Sequence, residues 1–129
     1  MPLSKIKTNS LATGAITSAI MPTGTVIQVV QGSTTTASSH GSTSTLSDTN
    51  LSASITPSSA SNKILVTIQQ HCYCLRYGGT IVIVRGSTNI SAVTDTYQNY
   101  INPGTTASFR WYHTQSQLDS PNTTSAITY

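Results

Sequence analysis

The chain has 129 residues, which is room for one domain with one core rather than two. Only 7% of residues are charged, against about 25% in a typical soluble domain, and Glu is absent: the acids are Asp48, Asp95 and Asp119. The net charge of +3 comes from Lys5, Lys7, Lys63, Arg76, Arg85 and Arg110, scattered without the basic stripe that displaces counterions from phosphates, so no nucleic-acid partner is expected.

Ser (20) and Thr (23) make up a third of the chain. With Val and Ile they favour extended structure, because branched side chains lose rotamer freedom on a helix and fit a pleated surface. The runs "TVIQVV", "NKILVTI" and "TIVIV" are too apolar to stay in water, which sets the chain apart from Ser/Thr-rich disorder. The N-terminus has no continuous apolar signal region, and no run approaches the length of a bilayer span. Synthesis in a cytoplasm, with no membrane partner, is the expectation.

Residues 1–24 differ in composition from the rest of the chain. Leu11, Ile16 and Ile20 fall at helix-like spacing, but Gly14 and the Thr residues weaken a helix, and Pro22 with Gly24 ends it. The expectation is an extended or partly helical arm that docks on another protein through Leu3, Ile6, Leu11, Ile16 and Ile20. Residues 25–129 are expected to form the folded domain.

"TVIQVVQ" (25–31) reads as its opening strand, and a polar loop comes next. "LSASITP" (51–57) alternates apolar Leu51, Ala53 and Ile55 with Ser and stops at Pro57. "NKILVTIQQHCYCLRY" (62–77) is a long central strand: Ile64, Val66, Ile68, Cys72 and Cys74 share one side, and Leu65, Tyr73, Leu75 and Tyr77 the other. "YGGT" (77–80) reads as a tight turn, with "IVIVRGS" (81–87) returning antiparallel. Residues 89–102 are a weaker strand. "TTASFRWYHTQSQL" (105–118) sets Phe109, Trp111 and His113 on one side, and "AITY" (126–129) begins a strand that the chain leaves unfinished.

Chemistry is sparse. Cys72 and Cys74 project to one face and His71 to the other, so no tetrahedral metal set forms, and the thiols read as small buried apolar groups. The three His and three Asp make no recognisable triad among so many Ser, and no nucleophile elbow occurs. No cofactor, metal or catalytic residue is expected. Tyr97 and Tyr100, with Trp111 and Tyr112, could stack on sugar rings, against the plainer reading of core or interface packing.

The order "GTVIQVVQ", "TLSDTNLSASITPSSASNKILVTI", "IVIVRGST", "LDSPNTTSAITY", with the opening "LSKIKTNSLATGAITSA", resembles a module of marine and cyanobacterial tailed-phage structural proteins often labelled tail fibre proteins. In that family the chain runs on past the position of Tyr129 into further strands. The resemblance implies a non-enzymatic virion protein, and with the patterning it leads to an all-β expectation: an antiparallel, jelly-roll-like β-sandwich carried behind the arm. It also implies a homotrimer, a symmetry that suits fibres, bound to other virion proteins of tail, baseplate or capsid, with Tyr97 and Tyr100 as the candidate contact should it bind a host surface glycan. The subunit contact is expected at the unfinished strand, at Ala126, Ile127 and Tyr129, with Trp111 and Tyr112 beside it. A capsid decoration protein is the competing role, and a carbohydrate-binding module the third.

Overall fold

The structure is a computed structural model that describes residues 21–41, 45–75, 77–91, 98–101 and 108–129. The described residues are all-β, with no helix. The strands are β1 (Ser54–Ile55), β2 (Ile64–Leu75), β3 (Tyr77–Gly79), β4 (Val84–Arg85), β5 (Thr88–Asn89), β6 (Asn99–Ile101), β7 (Ser108–Asp119) and β8 (Ile127–Thr128). They pair antiparallel as β1 with β8, β2 with β7, β3 with β6 and β4 with β5, so each pair is nested inside the one before. The pattern is that of one long ribbon whose tip is the β4–β5 turn.

The expected long strand is present as β2, but its partner is β7 rather than residues 81–87. In this pairing Leu65 faces Leu118, Thr67 faces Ser116, Cys72 faces Trp111 and Cys74 faces Phe109. Directly opposed residues of an antiparallel pair share a face. One face therefore carries Ile64, Val66, Ile68, Cys72, Cys74, Phe109, Trp111 and His113, all half-buried, as their alternation predicted. The other face is exposed along its whole length.

"YGGT" is not a hairpin turn. Tyr77 and Gly78 take positive φ values of 56° and 149° and remain in the ribbon, with Gly78 opposite Tyr100. A Cβ on Gly78 would collide with the Asn99 carbonyl, so this glycine serves a close backbone approach at a kink. The reversal falls later, at Gly86 and Ser87 between the paired Arg85 and Thr88, with Gly86 at φ 58°. Gly at the first loop position is what a tight two-residue hairpin of type II′ takes.

After the kink the chain doubles back. Gly79 lies under the Trp111 ring, where an added Cβ would sit 3.2 Å from Cη2, and Arg85 reaches Asp119 at 2.9 Å. Along β7 those two residues are about 27 Å apart, and an extended stretch from 79 to 85 covers about 20 Å, the Arg85 side chain spanning the rest. Residues 79–85 thus return over the half-buried face of β2 and β7. Where the ribbon widens, side chains replace the ladder: Ile81 N–H donates to Gln98 Oε1 (2.9 Å) and Ile83 N–H to Ser91 Oγ (2.6 Å). Ile83 is buried there, at 4% exposure, and Pro57 is the one other buried apolar residue among the described residues.

Two further expectations change. The "AITY" strand is paired within the chain: Tyr129 and Ala53 exchange both backbone hydrogen bonds at 3.0 Å, and Gly86 N–H reaches the Thr128 carbonyl at 3.0 Å on the opposite edge. The need for a neighbour to complete it therefore lapses. Conversely, residues 25–31 form no strand, because no other described segment pairs with their backbone groups. Their start is fixed by a turn, with Thr25 N–H bonded to the Pro22 carbonyl at 3.1 Å. No described helix is long and apolar enough to cross a membrane.

Candidate functional site

The structure divides the sequence-derived candidates among separate surfaces. Leu3, Ile6, Leu11, Ile16, Ile20 and Tyr97 lie outside the described residues. Tyr100 is exposed on β6, opposite Gly78. Trp111 and Tyr112 are neighbours in β7 and so face opposite ways: Trp111 stacks on Phe109 (centroids 4.7 Å, planes 20° apart), while Tyr112 is 71% exposed. One surface cannot use both rings. Ala126 and Ile127 line an open groove of about 400 Å³ with Arg85, Gly86, Pro121 and Thr123.

Tyr129 belongs to a polar clamp behind that groove. Arg85 Nη1 donates to both Asp119 oxygens, at 2.9 and 3.0 Å, and the Tyr129 hydroxyl donates to Asp119 Oδ2 at 2.6 Å. The end of β7, the ribbon tip and the end of the β1–β8 pair are thereby joined at one carboxylate. Burial, the hydrogen bond to Asp119 and the Asp119 charge raise the Tyr129 pKa well above its ordinary value, with Arg85 opposing. Asp119 is engaged at both oxygens, so its geometry is that of a structural tie rather than a free general base. Cys74 Sγ donates to the Gly78 carbonyl at 3.1 Å, and burial pushes the Cys72 pKa up, the His113 backbone opposing, so Cys72 stays a protonated packing group. Among the described residues no three His, Cys, Asp or Glu come together as a metal set.

Exposed apolar side chains lie elsewhere. The outer face of β2 and β7 exposes Leu65 (66%), Leu75 and Leu118 at its ends. Between them the Arg110 guanidinium sits 4.7 Å over the Tyr73 ring, and the His71 and Tyr112 rings meet at 5.1 Å. A second exposed apolar stretch is residues 25–31, with Val26 at 75% and Val29 at 82%. Sequence reasoning named neither Arg85 and Asp119 as a tie nor Tyr73 and Arg110 as a pair, since both depend on register between distant strands. It did hold the signal for residues 25–31: a run apolar on both faces.

Comparisons with protein-family models, with curated proteins and with solved structures find no match to this chain.

Proposed function

We propose that this chain is a non-enzymatic virion structural protein of a tailed phage, a homotrimeric fibre-like appendage anchored by its N-terminal residues. The observation that carries the reading is the imbalance between apolar side chains and burial: among the described residues only Ile83 and Pro57 are buried apolar residues, while thirteen large hydrophobic residues are exposed. A single copy in water leaves that apolar area unused, which contacts between chains would cover. Assembly supplies the burial that so small a domain lacks by itself. The nested pairing also supports the finer fold reading, because an antiparallel ribbon of four nested pairs, bent back over its own face, is the connectivity of a jelly-roll sandwich.

The surface chemistry fits a particle exposed to changing media. Asp119 and Arg85 form the one ion pair among the described residues, so little of the stability is charge that salt can screen. Quantitative mass spectrometry of purified particles of the encoding phage tests the role. The chain is expected in the particle at a copy number far below that of the capsid protein. Abundance near that of the capsid protein would reassign it to head decoration, and absence from particles would end the virion reading.

A further inference from the structure

Residues 25–31 carry a contradiction. Their sequence, Thr-Val-Ile-Gln-Val-Val-Gln, is apolar on both sides at period two, with Ile27 and Val29 on one and Val26 and Val30 on the other. A strand of that kind belongs inside a sheet covered on both faces. In the single chain every one of these residues is exposed, and beyond Thr25 none of their backbone groups is hydrogen-bonded to a described residue. The segment is nevertheless presented rather than trailing. The turn at Pro22 and Thr25 fixes one end, and at the other Gly32 lies so close to the Ser52 carbonyl that a Cβ there would collide with it.

The same chain holds the matching vacancy. Among the described residues β2 is an edge strand of twelve residues bonded only to β7. Sequences guard such edges with charge, Pro or a bulge. The β2 sequence ILVTIQQHCYCL contains no charged residue and no Pro, whereas β7 carries Arg110 and Asp119. The first half of β2 carries Ile64, Val66 and Ile68 on one face, matching an apolar side of residues 25–31, and Leu65 with Thr67 and Gln69 on the other. An added strand of seven residues spans about 23 Å, well within the length of β2. Neither segment carries a charge that would repel its counterpart.

We propose that residues 25–31 of one copy add as a strand to the free edge of β2 in a second copy, near Ile64 to Gln70, so that assembly proceeds by strand addition between chains. This rests on the reading of the chain as an assembling structural protein and names the contact. Main-chain hydrogen bonds supply the attraction and the paired apolar faces set the register. The reciprocal offer of one strand and one edge per copy makes the contact head-to-tail, which closes into a ring when the rotation allows.

Sedimentation of the full chain over a range of concentrations tests it, with Val29→Pro as the probe and Ser39→Pro, in an exposed stretch outside both partners, as the control. Proline removes a donor that has no partner within the described chain, so the fold of one copy should keep its circular dichroism while association is lost. The wild type and Ser39→Pro are expected to sediment as oligomers and Val29→Pro as single chains. If Val29→Pro associates like the wild type, strand addition is wrong although the virion role stands. A wild type that remains single at every concentration, yet is found in particles, also removes the proposal and leaves the role. Hydrogen exchange of the wild type decides independently of any variant: amides 26–31 and 64–70 should gain protection together on association. Protection of neither would overturn the assignment.

Discussion

Asp119 sets the most testable behaviour at the residue scale, because its two oxygens hold a guanidinium and a phenol from opposite ends of the ribbon. Tyr129→Phe removes a hydrogen bond to a charged acceptor and should cost about 1 to 2 kcal/mol of unfolding free energy in urea titration. The same bond gives a pH signature. Deprotonating Tyr129 would place a phenolate against the carboxylate, so its folded pKa lies above the unfolded value of about 10. The contribution is complete below about pH 10 and is lost as pH rises above it. Melting temperatures between about pH 9 and about pH 12 should fall more steeply for the wild type than for Tyr129→Phe; parallel curves would remove the assignment. Gly78→Ala forces a Cβ into the Asn99 carbonyl and should destabilise by about 1 to 3 kcal/mol in the same titration.

For the elements, β7 offers a controlled contrast within two adjacent positions. Trp111 packs on Phe109 over Gly79 on the half-buried face, and Tyr112 stands on the exposed one. Trp111→Ala should cost about 2 kcal/mol, roughly half the loss for a fully buried ring, whereas Tyr112→Ala in the dissociated chain should cost well under about 1 kcal/mol. Denaturant titrations of both variants at low concentration check the difference, and equal losses would contradict the assigned faces. This division was legible in the sequence: the period-two pattern through Cys72, Cys74, Phe109 and Trp111 assigned one face without any partner being known. What the pattern did not hold was who pairs with whom. "YGGT" carries the residues of a hairpin turn, yet the β2–β7 register offers twelve consecutive cross-strand pairs against the few that "IVIVRGS" could supply. Local turn chemistry yielded to long-range pairing. Residues 25–31 failed for the complementary reason, since their composition marks a strand and no described strand of the same chain pairs with them.

The whole molecule is a ribbon of nested pairs folded so that its tip meets its base, and this was not legible because every closing contact joins residues distant in sequence, such as Ser54 with Thr128. The candidate surface was partly legible. Ala126, Ile127 and Tyr129 were singled out because their strand looked unfinished, but it closes on Ala53, and unpaired edges among the described residues lie instead on β2, on β7 and at residues 25–31. The apparent stability of the wild type should therefore rise with protein concentration, since association draws folded copies out of the unfolding equilibrium; thermal melts across a hundredfold dilution series should shift, and a constant midpoint would argue for a self-sufficient monomer. The exposed stretch that begins at residue 25 has a last consequence, for digestion. No Lys or Arg occurs between Lys7 and Lys63, and no Phe, Trp or Tyr precedes Tyr73. Backbone as accessible as residues 26–31 is ordinarily where a chain is nicked, yet here trypsin finds no residue to recognise and chymotrypsin lacks the aromatic side chains it favours. The chain should withstand both at this stretch while subtilisin, which reads little side-chain identity, cuts it in the dissociated form: the scarcity of charge and of rings leaves an accessible strand hidden from the commonest digestive specificities.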